Sequence, residues 1–214
     1  MRTGGAGLRL SRRALLLAAG LWPAAALAQK KKPAPATGPA MSAARTIVAG
    51  APLGVFLSQP PQGARLAIAR PEHPASSAIV VVEPQNTVPA LPTPGVAGTY
   101  ELRLTAEKDG TPVILLRQPL VTTEPSATLA APGRVGRSQA LPVRGIGPNG
   151  EQDRVVLVAA DAPIEAEGPR FFPAENVEAV LEAPDQPGSY ELRYVRNAPV
   201  SGLRILARRA VVVE

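Results

Sequence analysis

Two stretches of the chain, ninety residues apart, decide how it folds. Residues 94–104 read Pro-Gly-Val-Ala-Gly-Thr-Tyr-Glu-Leu-Arg-Leu, and residues 184–194 read Pro-Asp-Gln-Pro-Gly-Ser-Tyr-Glu-Leu-Arg-Tyr. Six of the eleven aligned pairs are identical, at a constant offset of 90. An internal repeat of this kind predicts two copies of one structural unit. With the boundary near Glu124, the first module covers residues 46–124 and the second covers residues 125–214.

Flanking segments extend the repeat. Ile-Val-Val-Val at 79–82 aligns with Val-Val-Leu-Val at 155–158, and Leu-Leu-Arg at 115–117 aligns with Leu-Ala-Arg at 206–208. If residues 79–82 align with residues 155–158, the segment between this strand and the repeated stretch is about a dozen residues longer in module 2 than in module 1. We therefore expect module 2 to carry a long insertion over residues 158–177.

Both modules show the pattern of β-strands. Short runs rich in Val, Leu and Ile alternate with turn residues, and the 25 prolines of the chain are unfavourable in helix interiors. No sustained apolar period of 3.6 residues occurs beyond the first 28 residues. Several short strands at regular spacing indicate a sandwich. The sequence thus predicts an all-β protein with two tandem β-sandwich modules of the immunoglobulin or fibronectin III type.

The repeated stretch also predicts a structural corner. A tyrosine near the start of a strand, two residues before a buried position, resembles the corner before strand F of an immunoglobulin-type sandwich, where the hydroxyl caps upstream backbone. Leucine takes the buried position here, and a preceding glycine frees the turn. The corner residues are Gly98, Tyr100, Gly188 and Tyr190.

Alternation along the same strand separates its two faces. In module 2, Tyr190, Leu192 and Tyr194 share the inward face, while Glu191 and Arg193 share the other. We interpret the Glu-x-Arg pair as a solvated face with cross-strand ion pairs.

The second module resembles a repeat of bacterial envelope proteins that carry von Willebrand factor A domains. The match rests on Gly147-Pro148, on residues 184–195 and on the Leu-Ala-Arg-Arg segment at 206–209. Gly145 stands where that family has tryptophan, and Arg70-Pro71 replaces Gly-Pro in module 1. This sequence has no von Willebrand domain. The resemblance implies an immunoglobulin-like accessory repeat without an assigned activity.

The N-terminus predicts export. Four arginines precede an apolar stretch that ends in Ala26-Leu27-Ala28, so residues 1–28 read as a signal peptide that is cleaved before Gln29. Residues 29–45 are rich in Lys, Pro and Ala and are expected to form a disordered linker. Arg12-Arg13 leaves the twin-arginine route open beside the favoured general secretory route. The expected location is the periplasm, with secretion as the alternative.

Charge and cysteine content narrow the class of partner. The net charge of +6 comes from 23 basic and 17 acidic residues. Residues 1–28 hold four of the basic residues and Lys30, Lys31 and Lys32 hold three, which leaves 16 basic against 17 acidic in the body. A nucleic-acid partner is not expected, since it requires a basic face. The absence of cysteine excludes a lipoprotein anchor, so we expect no stable membrane anchor after cleavage.

The residues that carry chemistry are sparse. The one histidine, His73, lies in a proline-flanked loop. Glu165 and Glu167 lie in a loop without the apolar pocket that a catalytic carboxylic acid requires. The glycines between 145 and 150 lack the Lys-Ser/Thr of a phosphate loop and predict a turn. We therefore predict that the protein is not an enzyme, with no catalytic, cofactor-binding or metal-binding residues.

Two non-enzymatic functions remain. The first is a periplasmic interaction or scaffold protein that binds an envelope protein, and the alternative is a module that binds carbohydrate or another envelope polymer. Phe171 and Phe172, in the expected insertion, are the candidate partner contact, because long loops on a rigid scaffold tend to hold recognition residues. The competing interpretation places this pair in an extra strand, with one ring in the core and one outside.

Overall fold

Alternating apolar runs become strands throughout the computed structural model, which describes residues 38–214. Sixteen strands and no helix occur in this range. The described part therefore contains no helix that could cross a membrane. The predicted signal peptide and residues 29–37 of the predicted linker lie outside the described residues.

Module 1 consists of eight strands in two sheets. A three-stranded sheet has the order β1-β3-β6, and a five-stranded sheet has the order β2-β8-β7-β4-β5. The strands are β1 Ala40–Ala43, β2 Thr46–Val48, β3 Pro52–Ser58, β4 Arg65–Ala69, β5 Val80–Val82, β6 Ala90–Pro92, β7 Gly98–Lys108 and β8 Thr111–Thr123.

Module 2 repeats this arrangement strand for strand. Its sheets have the orders β14-β11-β9 and β10-β16-β15-β12-β13. The strands are β9 Thr128–Ala130, β10 Arg134–Val135, β11 Ala140–Ile146, β12 Arg154–Ala159, β13 Arg170–Phe171, β14 Glu178–Glu182, β15 Gly188–Ala198 and β16 Gly202–Val213.

The first two strands of each module are consecutive and belong to different sheets, as in immunoglobulin-type sandwiches. β1 pairs antiparallel with β3, after which β2 crosses to the other sheet and pairs parallel with β8. In module 2, β9 pairs with β11 and β10 pairs parallel with β16. The predicted fold class, all-β with two sandwich halves, is confirmed.

Each module has its own core between its two sheets. Inward positions of the strands supply it, because successive side chains of a strand point to opposite faces. In module 1 the core includes Leu53, Val55, Leu57, Leu66, Ile68, Leu91, Tyr100, Leu102, Leu104 and Leu120. In module 2 it includes Leu141, Val143, Val155, Leu157, Leu181, Leu192, Tyr194 and Val211.

The last hairpin of each module contains a register shift at the same place. It lies between Leu104 and Thr105 in β7 and between Tyr194 and Val195 in β15. On the opposite strands, Leu115 and Leu206 are the residues without a cross-strand partner. Both modules therefore share a β-bulge at the same position, and bulges are specific features of a fold.

Two expectations about chain organisation need correction. Residues 40–43, assigned to the disordered linker, form β1, whose Ala43 pairs with Val55. This segment can be ordered because the edge of β3 supplies backbone partners that composition does not reveal.

The alignment of 79–82 with 155–158 is also wrong. β12, which pairs with β15, corresponds to β4, which pairs with β7. Residues 80–82 form the next strand, β5, whose counterpart is β13. The connection from β4 to β5 and the connection from β12 to β13 each span ten residues, 70–79 and 160–169. Module 2 therefore has no long insertion.

Gly145 in β11 is explained by its neighbours. A Cβ atom at this position would lie 2.5 Å from Val155 Cγ2 and 3.6 Å from Phe171 Cζ. In module 1 the corresponding β3 position is Leu57, and Val82 takes the place of Phe171. In module 2, Phe171 therefore supplies the side-chain volume that Leu57 supplies in module 1. A tryptophan at position 145 would have no space.

Candidate functional site: the junction of the two modules

The buried arginine of β15 is the first polar feature of module 2. The expectation of a solvated Glu-x-Arg face is wrong for Arg193, whose side chain is 3% exposed. Its guanidinium donates to the carbonyl oxygens of Ala160, Ala162 and Pro163 at 2.7–3.2 Å. The residue does project from the outer face of the sheet, but the loop 160–169 covers that face.

The predicted ion pairs flank this buried arginine. Arg193 Nε lies 2.6 Å from Glu191 Oε2, and Arg208 of the neighbouring strand pairs with the same oxygen. A charge-assisted network with several carbonyl acceptors offsets the desolvation of the guanidinium. Arg193 therefore fixes a loop to the sheet.

Module 1 contains the same arrangement. The side chain of Arg103 is fully buried and donates to carbonyl oxygens in the loop 70–79, including Arg70 and His73 at 3.0 and 2.9 Å. Glu101 pairs with its Nε at 2.6 Å and with Arg117 at 2.9 Å. The repeated Glu-x-Arg motif is therefore a repeated structural device.

The corner tyrosines occupy equivalent positions but differ in burial. Tyr100 donates to the carbonyl oxygen of Val96, and Tyr190 donates to that of Gln186, both at 3.1 Å. Tyr100 is 1% exposed, whereas Tyr190 is only half-buried. In module 1 the guanidinium of Arg70 lies over the Tyr100 ring, with Cζ 5.3 Å from the ring centroid.

The junction between the modules is closely packed around glycines. Gly95 N donates to the carbonyl oxygen of Pro199 at 2.8 Å. A Cβ atom on Gly95 would lie 2.2 Å from Ser201 Oγ and 2.8 Å from Ala198 Cβ. Gly50 has a positive φ of 88°, and a Cβ atom there would lie 2.8 Å from Arg196 Cδ. A larger residue at position 95 would overlap module 2, and one at position 50 would displace the Arg196 side chain and require a strained backbone.

Arg196 crosses from module 2 to module 1 at the centre of this junction. It is fully buried; Nη1 donates to the carbonyl oxygen of Ala49 at 3.3 Å, and Nη2 donates to Ser201 Oγ at 2.9 Å. Its Nε has no hydrogen-bond partner within residues 38–214. Burial lowers the pKa of Arg196, and the nearby Asp153 opposes this shift.

Asp153 provides the countercharge and organises the end of module 2. Its carboxylate accepts from the backbone N–H groups of Gly150 and Asn197, and Oδ2 lies 3.0 Å from Tyr194 Oη. Burial raises the pKa of Asp153, and these hydrogen bonds oppose the shift. Burial and the neighbouring carboxylate also raise the pKa of Tyr194. The phenol therefore stays protonated and acts as a donor.

A groove runs along the outside of the junction. Its volume is about 320 Å³, and both modules line it, with Pro52 and Pro92 on one side and Gln152, Asn197 and Pro199 on the other. Asn197 Nδ2 donates to Gln152 Oε1 at 2.6 Å. The groove lies beside the contact that Arg196 makes between the two modules.

The structure separates the two candidate contact residues. Phe171 lies in β13 and packs against the core of module 2, which matches the interpretation of an extra strand. Phe172 follows that strand and is 38% exposed. Phe172 is the more exposed ring of the pair, and it lies in a short connection to β14 rather than in an insertion.

The other sequence candidates lie apart from one another. His73 Nδ1 is 3.4 Å from Ser77 Oγ, and its carbonyl oxygen accepts from Arg103. Glu167 pairs with Arg170, three residues away. Within residues 38–214, no group of three His, Cys, Asp or Glu side chains is arranged to hold a metal ion.

Sequence reasoning missed Asp153 and Arg196. In the sequence, Arg196 is one of several arginines near the C-terminus, and Asp153 belongs to no recognisable motif. A usable signal existed, since the positions equivalent to them in module 1 are Ala64 and Ala106. Charges present in one copy of a repeat and absent from the other indicate a role outside the shared fold.

Comparisons with known proteins give no family. No family model matches the chain, and no curated protein matches it. Among solved structures it is similar to the Yersinia pseudotuberculosis adhesin InvE, at 15% identity over 82% of this chain and 58% of that one, with a TM-score of 0.29. Three N-terminal domains of the Hoc protein of bacteriophage RB49 are 10% identical over 82% of this chain and 57% of theirs, with a TM-score of 0.32.

The chicken CNTN1 FN1–FN3 domains are a further similar structure, at 10% identity over 81% of this chain and 63% of theirs, with a TM-score of 0.31. The chain spans less than two thirds of each of these three structures. Similarities at this level assign no activity, ligand or partner. The association with von Willebrand factor A proteins stays a prediction.

Proposed function

We propose that this protein is a non-enzymatic interaction or scaffold protein of the bacterial envelope, which presents two sandwiches to a protein partner in one fixed arrangement. The observation that carries the proposal is the junction. A buried arginine from module 2 bonds to the backbone of module 1, and Gly50 and Gly95 permit close approach. A flexible pair of modules has no need of such a contact.

The fixed arrangement has a direct use in recognition. A partner that touches both modules binds a surface whose geometry exists beforehand, so less conformational entropy is lost on binding. The junction groove belongs to such a composite surface, because residues of both modules line it. We include export and a periplasmic location in the proposal, on the basis of the N-terminal signal.

Binding of a carbohydrate or another polymer is the alternative. Sugar recognition commonly uses neighbouring exposed aromatic rings. Within residues 38–214, Phe56 and Phe172 are the strongly exposed rings, and they belong to different modules. Tyr100 and Tyr194 are buried in the cores. This distribution favours a protein partner.

The test compares binding by the purified full chain to separated envelope proteins and to a glycan array. We expect a protease-sensitive envelope component to be retained and the glycan array to show no binding. Gly95→Leu, which opens the junction, should weaken retention by about tenfold, whereas Asp185→Leu at the equivalent free position should not. Glycan binding, or equal retention by both variants, would contradict the proposal.

Phe172 is the proposed aromatic contact within this function. Phe172→Ala should reduce retention of the partner and leave the melting temperature unchanged, because the ring lies outside the core. Phe171→Ala is the matched control and should lower stability, because its ring packs against the core. Loss of stability in both variants, with no specific loss of binding, would remove Phe172 from the proposed surface.

A further inference from the structure

β14 is an edge strand whose outer side has no neighbour in residues 38–214. It ends the sheet order β14-β11-β9. Gly145 N donates to Val177 O, and Ala183 N donates to Gln139 O, both at 2.9 Å. Because bonding alternates along an antiparallel pair, the backbone groups of Val180 and Glu182 point away from β11. They are available to a further strand.

Module 1 closes the equivalent edge. There β6 spans three residues and Pro92 takes the position of Glu182, so the second outward N–H is missing. A proline on an edge strand prevents further pairing. An asparagine caps the start of both edges, with Asn86 Oδ1 accepting from Val88 N and Asn176 Oδ1 accepting from Glu178 N. The two edge strands therefore begin alike, but only β14 keeps both of its outward-pointing N–H groups available for pairing.

The side chains of β14 define what can pair there. Glu178, Val180 and Glu182 project on the outer face, and Val180 is 67% exposed. A shallow depression of about 460 Å³ lies beside Val180 and is lined by Ala130, Pro142 and Arg144 as well. An apolar side chain directly opposite Val180 on an added strand would pack against this exposed valine as a cross-strand pair.

Charge selects between possible occupants. A second copy that paired antiparallel about Val180 would place Glu178 opposite Glu182, and directly opposed like charges are destabilising. Arg144 already pairs with Glu178 at 3.3 Å, but no ion pair forms at Glu182 within the described residues. A strand with basic residues on both sides of a small apolar residue complements this edge.

We infer that β14 binds an extended segment of a protein partner as a fourth strand of its sheet. The segment has two basic residues four positions apart, with a small apolar residue midway between them. Main-chain hydrogen bonds to Val180 and Glu182 supply attachment, and the glutamates supply selectivity. This inference rests on the proposed role in protein interaction and names the surface and chemistry of the partner.

The test uses the full chain and the peptide Thr-Lys-Thr-Val-Thr-Lys-Thr, which reads the same in both directions. A second peptide has glutamate in place of both lysines. We expect the lysine peptide to bind about tenfold more tightly, with a preference that decreases at high salt. Hydrogen exchange of the Val180 and Glu182 amides should slow when the lysine peptide is bound.

Val180→Pro is the decisive variant. It removes an N–H that has no acceptor in the sandwich, and the residue opposite, Pro142, is already a proline. Binding of the lysine peptide should therefore fall about tenfold while the chain stays folded. Ala90→Pro, at the matching position of module 1, is the control and should bind like the unmodified chain. Glu182→Lys should remove the preference between the two peptides, because the edge then presents one acidic and one basic side chain.

Three results would overturn the inference: no binding of either peptide, equal binding of both, or unchanged binding by Val180→Pro. A dimer of the unmodified chain that Val180→Pro dissociates would also overturn it, since the occupant would then be a second copy. If melting shows that Val180→Pro unfolds, Glu182→Lys and the exchange of the two amides decide the question. None of these results affects retention of an envelope protein in the junction experiment, so the two proposals can fail separately.

Discussion

The corner ends of the two modules have the same backbone and opposite surroundings. Gly50 N bonds to Pro94 O in module 1, and Ser138 N bonds to Pro184 O in module 2. In module 1 this end is covered by module 2, and in module 2 the equivalent end is exposed. The residues follow this difference. Ala49, Gly50 and Gly95 occupy the covered end, and Arg137, Ser138 and Asp185 occupy the same positions at the exposed end.

The comparison shows how a repeated fold acquires an asymmetric contact. Small residues at one end of module 1 make space, and Arg196 and Asp153 of module 2 fill the junction. The positions equivalent to those two charges at the far end of module 1 are Ala64 and Ala106, so the charged part of the junction occurs in one module only.

The corner tyrosines should differ in their contribution to stability. Tyr100→Ala should lower the free energy of unfolding by roughly 3–5 kcal/mol, the usual loss for a buried aromatic residue. Tyr190→Ala should cost about half as much, because its ring is only half-buried. Tyr→Phe at either position should cost about 1 kcal/mol, the net value of one hydrogen bond. Urea unfolding measures all four. If neither alanine variant is destabilised, the corner has no structural role.

A large side chain should destabilise the protein at Gly95 in the junction but not at Asp185, the equivalent position at the exposed end of module 2. Gly95→Leu should lower stability by about 1–3 kcal/mol, because its side chain would overlap Ser201 and Ala198. Asp185→Leu should change stability by less than about 0.5 kcal/mol. Denaturant unfolding gives the energies, and small-angle scattering shows whether the modules separate. Equal effects at the two positions would mean that the junction does not form.

The smallest effect concerns pH. Burial raises the pKa of Asp153 in the folded protein, so between the unfolded-state and folded-state pKa values the folded protein holds a proton that the unfolded chain releases. This residue therefore stabilises the fold most below the unfolded-state pKa, and its contribution decreases as pH rises through the folded-state pKa. Asp153→Asn removes this dependence. Unfolding curves across that pH window should show a steeper loss with rising pH in the unmodified chain. The opposite sign would mean that Arg196 and the hydrogen bonds outweigh burial.

The repeated hairpin could be predicted from sequence because its information is local. Alternation around Tyr190 sets the inward face, and the identity with the stretch around Tyr100 sets the number of modules. Strand order inside each sheet was less accessible. Residues 79–82 and 155–158 are both short runs of branched apolar residues, and nothing in such a run says which neighbour it pairs with.

The candidate site was hidden for a different physical reason. Arg193 does lie on the outer face of its strand, but a loop closes over it, and the path of a loop is not contained in the alternation of a strand. Arg196 is buried by residues about 150 positions earlier in the chain, since it bonds to Ala49. Contacts of that separation depend on how two finished modules meet.

The parallel pairing of β2 with β8, and of β10 with β16, has a mechanical consequence. In module 1, Thr46–Val48 lies beside Val121–Thr123 with both strands running in the same direction. A force that pulls the two ends of the module apart slides these strands past each other, so their hydrogen bonds carry the load together and cannot open one at a time. The pairing of β10 with β16 in module 2 has equivalent bonds: Val212 N donates to Gly133 O as Val121 N donates to Arg45 O, and Arg137 N donates to Glu214 O as Ala49 N donates to Thr123 O. Under tension along the chain, both modules therefore resist through the same kind of parallel pair loaded in shear.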